Sequence, residues 1–381
     1  MRALLANPEL LADARDDLRV AEQLRKRWPA DLVAAATEQQ VLRDRAAKKF
    51  GNAAAMLFTR DGVEQATAEP VARHRARRFA TVDDHRPAVD LCCGIGGDLL
   101  AIGAVVPGII GIDRDEVHTI LARHNARVHG VDATTVVADV TELRLASTSA
   151  IFIDPARRAG RGAPARRGGY QPSLDWCLSL PVPLVSVKAA PGIDPAVAPA
   201  DWELEFVAVG RELKEAVLWS PAWADGARRA TVLPTRAGED VVELRADPTT
   251  ARAAVRPPGR YLLDPSPAVT RAGAVADLAA ALDAWQIDPM IAFLSADTPL
   301  LSPFGRCLEV LASMPFAVKP LAAELRRLDI GAIDLRRRGL AGDVEELRRR
   351  LRPSGSRPAT VVLTRVVNKP WAFVCSDVPA T

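Results

Sequence analysis

The segment 89–113 combines glycines and carboxylates in a pattern suited to binding a nucleoside. A short apolar run ends at Asp90, and the glycine turn 94–97 (GIGG) follows it. After an apolar, helix-like stretch, a second apolar run ends at Asp113. Glycines let the backbone turn sharply and approach a ligand closely. An acid about 20 residues beyond such a turn accepts hydrogen bonds from ribose hydroxyls, so the sequence predicts a nucleoside-cofactor site.

The charges around the turn indicate which cofactor it accepts. Dinucleotide turns read G-x-G-x-x-G and hold a pyrophosphate at a helix N-terminus, whereas this turn reads G-x-G-G-D, with Asp98 in the pyrophosphate position. Asp90 and Asp98 would repel a diphosphate and suit a cationic amino-acid end. S-adenosylmethionine carries a ribose, an ammonium and a sulfonium but no phosphate, so it is the predicted cofactor. A nucleotide-binding dehydrogenase or a purely structural turn is the alternative.

Four sequence motifs, in the same order, resemble those of class I methyltransferases. VDLCCGIGGD resembles the first motif of that family, GIDRD the second, VVADV the third and IFIDPARR the fourth. The resemblance implies a doubly wound, Rossmann-like α/β sheet that binds S-adenosylmethionine. The residues that it assigns to the cofactor in these motifs are Asp90, Cys92, Gly94, Gly96, Gly97, Asp113 and Asp139, the last near the adenine.

The segment that precedes the glycine turn resembles part of the cap-type guanine-N2 methyltransferases. In that family a threonine/glutamate-proline segment folds over the cofactor, and Thr67, Glu69 and Pro70 match the pattern. This resemblance adds Thr67 and Glu69 to the expected cofactor residues. The S-P-P-W catalytic loop of that family is absent, so its cap substrate does not carry over. The C-terminal part resembles the THUMP-like modules attached to RNA methyltransferases, and the whole chain resembles bacterial methyltransferases that carry such a module.

The fourth motif contains the expected catalytic residues, Asp154 and Pro155. In the family, this loop accepts a hydrogen bond from the acceptor nitrogen and directs its lone pair at the methyl group, so catalysis is mostly positioning. The loop here reads D-P-A-R, which also resembles RNA uridine-5 methyltransferases. Those enzymes need a cysteine nucleophile after the fifth strand, and residues 185–191 contain none. The sequence therefore favours transfer to nitrogen, with a capping or cofactor-bridging role of Asp154 as the alternative.

A cationic segment follows the fourth motif. Its arginines alternate with glycines and precede a tyrosine, a combination that predicts phosphate contacts and stacking on a base. A solvated loop is the alternative, and a lysine at the end of the fifth strand suits a phosphate contact or a salt bridge equally well. The candidate RNA-binding residues are Arg157, Arg158, Arg161, Arg166, Arg167, Tyr170 and Lys188.

Composition narrows the class of protein. The 381 residues carry a formal net charge of +3 and an ordinary apolar fraction. No apolar run has the 18 or more residues of a membrane span, and the N-terminus does not resemble a signal peptide. The five cysteines lack metal-ligand spacing. We therefore expect a cytoplasmic enzyme without a membrane or metal partner.

The hypothesis is a methyltransferase that modifies a nucleobase nitrogen in tRNA or rRNA. A methyltransferase for a small molecule or protein is one rival, and a catalytically silent RNA-binding protein is another. The expected organisation is a helical region over residues 1–50, the methyltransferase domain over 51–235, a linker over 236–259 and a THUMP-like α+β domain over 260–381. Two local predictions are a helix cap at 67–69 and one long helix over Val269–Trp285.

Overall fold

The computed structural model describes residues 2–145, 148–157, 169–226, 228–236, 238–340 and 343–379. The chain folds as two compact units. The first comprises Met1–Trp202 and Val217–Ala224, and the second comprises Glu203–Ala216 and Asp225–Thr381. Within the ranges described, no helix combines the length and the apolar character that crossing a membrane would require.

The first unit begins with helices, as the spacing of its apolar residues predicts. They are α1 (Arg2–Leu5), α2 (Pro8–Asp16), α3 (Leu18–Arg27), α4 (Ala30–Ala46), α5 (Arg60–Gln65) and α6 (Glu69–Phe79). Leu11, Leu24 and Val33 are buried together in a small core between the first helices. Pro29 precedes α4 and fixes its start.

A parallel sheet forms the centre of the first unit and confirms the predicted fold class. Its elements are β1 (Ala88–Leu91), α7 (Gly97–Gly103), β2 (Ile109–Asp113), α8 (Glu116–His129), β3 (Ala133–Val137), β4 (Ile151–Ile153), β5 (Ala156–Arg157), β6 (Tyr170–Gln171), α9 (Leu174–Leu178) and β7 (Val185–Ala189). The strand order β7-β4-β1-β2-β3 is parallel throughout. The carboxyl ends of these parallel strands meet at one edge, which is the edge at which open α/β sheets generally bind their ligands.

The second unit contains two groups of strands. Its elements are β8 (Glu203–Val209), β9 (Glu212–Trp219, which ends in the first unit), β10 (Arg228–Leu233), β11 (Val242–Arg245), β12 (Tyr261–Pro265), α10 (Pro267–Ala272), α11 (Val275–Ala281), β13 (Trp285–Gln286), β14 (Leu294–Ala296), β15 (Gly305–Pro315), α12 (Val318–Arg327), β16 (Ile330–Arg337), α13 (Val344–Leu351), β17 (Arg357–Val366) and β18 (Lys369–Asp377). β10 pairs with β8 and β11. The seven-stranded order is β13-β14-β12-β15-β18-β17-β16, which confirms the predicted C-terminal α+β fold.

The predicted long helix over Val269–Trp285 is wrong. The chain forms α10 and α11 instead, and Trp285 lies in β13. Gly273 separates the two helices with a φ of 77°, in the left-handed region that glycine adopts readily. The backbone N–H of Ala274 donates to the Val269 carbonyl (3.0 Å). This glycine-centred helix end overrides the apolar periodicity that runs through both helices.

The hairpin between β17 and β18 turns at Val367 and Asn368. Both residues have positive φ values, 45° and 64°. Asparagine tolerates this region, whereas a β-branched residue such as valine is strained in it. The Val367 side chain is 57% exposed, so it gains little packing in return. The turn therefore contains a removable strain.

We expect Val367→Asn to raise the free energy of unfolding by about 1 kcal/mol, because asparagine adopts the left-handed region at less cost than valine. Urea denaturation of the full chain measures the change. Val137→Asn is the matched control, since Val137 is similarly exposed but lies in β3 outside the positive-φ region. An equal effect of the two substitutions would contradict the explanation.

Candidate active site

The glycine turn after β1 leaves open space at the carboxyl edge of the sheet. Gly94 and Gly96 have φ values of 53° and 93°, which glycine adopts without strain. A Cβ atom added at Gly94 would have no heavy atom within 4 Å. Cys92, just before the turn, also has a positive φ of 61°. Burial and the charge of Asp113 raise the pKa of its thiol, so the sulfur stays neutral.

The two predicted ribose and adenine acids occupy neighbouring turns. Asp113 Oδ2 accepts a hydrogen bond from the Gly94 N–H (2.9 Å), and its Oδ1 accepts one from the Asp115 N–H (2.9 Å). Each carboxylate oxygen retains one lone pair for a further donor. Asp139 Oδ1 accepts from the N–H and the hydroxyl of Thr141 (2.9 and 2.6 Å), and these bonds lower its pKa. Asp113 therefore holds the glycine turn in place and remains able to accept hydroxyl donors.

Asp90 is the buried acid of the site. Its side chain is 1% exposed, and neither carboxylate oxygen has a hydrogen-bond partner among the described residues. Burial raises its pKa well above the usual value, and the charges of Asp154 and Asp113 add to this effect. Arg75 and Lys188 act in the opposite direction. A buried carboxyl without partners is a site that a cationic ligand would stabilise.

Asp98 forms a buried ion pair and does not face a cofactor as predicted. Its carboxylate pairs with the guanidinium of Arg75, and both side chains are less than a tenth exposed. The guanidinium also stacks on Phe152, 4.3 Å from the ring centroid. The Thr67 hydroxyl donates to Asp98 Oδ2 (2.7 Å). The predicted helix cap is therefore wrong: Ala68 occupies the cap position of α6, without a side-chain bond.

Lys188 connects this pair to the fourth motif. Its ammonium donates to the Thr67 hydroxyl (2.9 Å) and to Asp154 Oδ2 (2.7 Å). Of the two interpretations left open for Lys188, the structure shows the salt bridge. The Asp154 backbone N–H donates to the Leu91 carbonyl (3.2 Å), which fixes the start of the loop beside β1. Asp154 is consequently oriented through one carboxylate oxygen and is 34% exposed at the edge of the sheet.

The segment before α6 packs against the glycine turn. Asn125, fully buried in α8, accepts a hydrogen bond from the Leu57 N–H (2.8 Å) and donates to the Ile95 carbonyl (2.9 Å). A Cβ atom at Gly62 would lie 2.6 Å from the Ile95 side chain. One amide side chain thus joins residue 57, α8 and the glycine turn.

Two of the predicted residues make contacts within the fold. Glu69 accepts a hydrogen bond from the Gly51 N–H (2.7 Å) and forms an ion pair with Arg73. Tyr170 is 2% exposed, and its hydroxyl accepts a hydrogen bond from the Ala190 N–H (2.9 Å). Its ring is therefore not presented for stacking on a base. Arg157 is exposed and pairs with Tyr170 across the β5–β6 ribbon; the predicted Arg158, Arg161, Arg166 and Arg167 lie outside the described residues.

The sequence analysis missed Arg75 and Asn125. Arg75 occupies a position on the buried face of α6, between Ala72, Ala76 and Phe79. A charged residue on such a face is the signal that would have identified it, because charged side chains are rarely fully buried unless paired. Asn125 is likewise a polar residue on the buried face of α8.

Comparisons with known proteins identify the family of the chain. An S-adenosylmethionine-dependent methyltransferase of Mycobacterium tuberculosis strain H37Rv, itself uncharacterized, is 38% identical over 354 residues, which are 89% of this chain and 95% of the relative. A protein of M. tuberculosis strain CDC 1551 matches to the same extent. Our chain belongs to the S-adenosylmethionine-dependent methyltransferases. A family model for RNA cap guanine-N2 methyltransferases matches residues 85–160, and a THUMP domain-like model matches residues 305–377.

A solved structure resembles this chain over nearly its whole length. A protein of Porphyromonas gingivalis W83, also assigned by name to the methyltransferases, superimposes with a TM-score of 0.77. The match covers 92% of each chain at 20% identity. It therefore shows that the two proteins share a fold.

The residues at the edge of the sheet fit S-adenosylmethionine. The orphaned carboxyl of Asp90 suits a cationic group, the space at Gly94 admits a ligand close to the backbone, and Asp113 retains acceptor sites for hydroxyl groups. We infer that these three residues hold the cofactor, with Asp139 beyond them. When bound, the cofactor supplies an electrophilic methyl group on a sulfonium.

We expect Arg75→Met to lower the free energy of unfolding by about 3–5 kcal/mol, because it leaves the Asp98 carboxylate buried without its counter-charge. Urea denaturation measures the loss. The double substitution Arg75→Met/Asp98→Asn removes both charges and should recover part of it. A single variant as stable as the wild type would show that the pair contributes nothing to folding.

The Asp90 carboxyl predicts a pH effect of defined sign. Since its folded-state pKa lies above the unfolded value of 3.8, its contribution to stability is full below that pH and is lost as the pH rises. Asp90→Asn should therefore unfold at a higher temperature than the wild type at pH 8, with a difference that shrinks toward pH 4. Each unit of raised pKa corresponds to about 1.4 kcal/mol.

The same variant should bind S-adenosylmethionine more weakly in calorimetry, because an amide cannot carry the negative charge. For the pH effect on stability, Asp139→Asn serves as the control. Because the pKa of Asp139 is lowered, this substitution should lower the unfolding temperature at pH 8 instead of raising it. A difference in unfolding temperature between wild type and Asp90→Asn that stays the same at every pH would refute the raised pKa of Asp90.

Proposed function

We propose that this enzyme transfers the methyl group to a nucleobase nitrogen in RNA, with tRNA or rRNA as the substrate. The observation that carries the proposal is the geometry of Asp154. Lys188 holds its Oδ2 (2.7 Å), while the partly exposed side chain keeps its other oxygen available at the ligand edge. A carboxylate fixed in this way can accept one N–H of a planar amino group and orient the nitrogen for in-line attack.

Asp154 contacts the acceptor nitrogen in this proposal, and two neighbouring residues position it. Asp154 accepts the hydrogen bond of the acceptor nitrogen, and the same carboxylate oxygen is available to the proton that the nitrogen loses after transfer. Pro155, buried and with a fixed φ, limits the movement of the loop that carries Asp154. Lys188 touches Asp154 rather than the reacting atoms, so it is a positioning residue.

The cysteines near the site do not support a covalent route to a pyrimidine carbon. Such chemistry needs a thiolate. Burial raises the pKa of Cys177 to about 12, and it raises that of Cys92 further. The end of β7 carries Lys188 instead of a cysteine. These observations favour direct transfer to nitrogen.

Three features support RNA as the substrate. The matched family models are described for RNA cap guanine-N2 methyltransferases and for THUMP-like domains. The described residue Arg157 is exposed two positions after Pro155. The sequence that follows it is rich in arginine, and cationic side chains supply the phosphate contacts of RNA-binding proteins.

We expect Asp154→Ala and Lys188→Met each to lower kcat by about 100-fold or more, because a misplaced acceptor loses the in-line geometry. The KM for S-adenosylmethionine should stay nearly constant, since neither side chain is assigned to the cofactor. The measurement is transfer of labelled methyl groups to RNA isolated from a strain that lacks the enzyme.

Lys214→Met provides the matched control, because Lys214 forms an ion pair with the exposed Glu212 and should leave kcat unchanged. Wild-type kcat in the Lys188→Met variant would remove Lys188 from the mechanism. Label that appears in protein or in small molecules but not in RNA would favour the rival substrates.

A further inference from the structure

A cleft between the N-terminal helices carries an excess of positive charge. It has a volume of about 530 Å³ and is lined by residues of α3, α4 and α5. Three arginines line it, one from each helix: Arg25, Arg45 and Arg60. Glu38 is the only acidic residue of the lining. The cleft is therefore concave and cationic.

Among the described residues, one of the three guanidinium groups has a carboxylate partner. Arg60 pairs with Glu38 (2.6 Å). No carboxylate of a described residue pairs with Arg25 or Arg45, and both side chains are exposed. Two positive charges thus remain in a concave surface, a combination that attracts anions because the low-dielectric walls strengthen the field.

The floor of the cleft is apolar. Val33 and Leu42 line it and are 2% and 3% exposed. The lining residues of α4 follow a spacing of three to four positions from Val33 to Arg45, so they form one face of the helix. An apolar floor below guanidinium groups suits a sugar-phosphate chain, in which the ribose contacts the floor and the phosphates contact the arginines.

Hydrogen bonds within the first unit connect the cleft to the glycine turn. Gln39 of α4 donates to the Phe58 carbonyl (2.7 Å) and accepts from its N–H (3.0 Å). The next residue toward the N-terminus, Leu57, is held by Asn125, which also bonds the Ile95 carbonyl of the glycine turn. A nucleic-acid chain bound in the cleft would therefore be held at a fixed distance from the glycine turn.

We propose that this cleft binds the phosphodiester backbone of the RNA substrate through Arg25 and Arg45. The inference rests on the proposed function, and it adds a second contact area remote in sequence from the catalytic loop. Arginine suits this role because its planar guanidinium matches phosphate geometry.

The test is fluorescence anisotropy of a labelled 20-nucleotide single-stranded RNA of mixed sequence, titrated with protein over a range of salt concentrations. Each lost phosphate contact lowers the slope of log affinity against log salt by about 0.7 on a single strand. Arg25→Ala/Arg45→Ala should therefore lower the slope by about 1.4. Arg25→Lys/Arg45→Lys, which keeps both charges, should restore most of it.

Arg19→Ala/Arg27→Ala is the matched control. It removes two exposed positive charges from α3, and neither residue lines the cleft. Unchanged binding of S-adenosylmethionine shows that each variant is folded. An equal loss of slope in the control, or a wild-type slope in Arg25→Ala/Arg45→Ala, would overturn the cleft site alone. Absence of salt-dependent RNA binding by the wild type would overturn the cleft and the proposed RNA substrate together.

Discussion

The buried ion pair between Arg75 and Asp98 is the interaction on which the active site depends. Two charges removed from water are stable only when each satisfies the other and further hydrogen bonds complete the shell. Here the shell includes the Thr67 hydroxyl and the ring of Phe152. The pair therefore fixes α6, the start of α7 and β4 relative to one another. From Thr67 the same network reaches Asp154 through Lys188.

This network also determines which acid remains for a ligand. Asp98 is paired with Arg75 and Asp154 with Lys188, and Asp113 accepts hydrogen bonds from two backbone N–H groups. Of these four acids, Asp90 is the one whose two carboxylate oxygens both lack a hydrogen-bond or ion-pair partner among the described residues. Asp90 is therefore the acid of this edge whose burial is not offset by a partner within the described chain. A cationic cofactor relieves that cost, whereas a diphosphate would increase it.

The sequence predicts the parallel sheet and its edge because both follow from local patterns. Apolar runs, glycines and acids recur in order, and each motif is complete within a few residues. The buried partners are different, since Arg75 and Asp98 are distant in sequence and their pairing depends on how α6 packs. The prediction that Asp98 faces the cofactor failed for this reason. β9, β10 and β15 were missed as well, because they lie outside the four methyltransferase motifs.

The β5–β6 ribbon shows how tertiary contacts give a predicted residue another role. Tyr170 follows a cationic segment, a position that suggests stacking on a base, yet its hydroxyl accepts from the Ala190 N–H, two residues after Lys188. Its partner across the ribbon is Arg157, three residues after Asp154. Arg157 and Tyr170 are thus held near the ion pair that orients Asp154. The burial of Tyr170 thus places its hydroxyl beside the end of β7 and removes its ring from the candidates for stacking on a base.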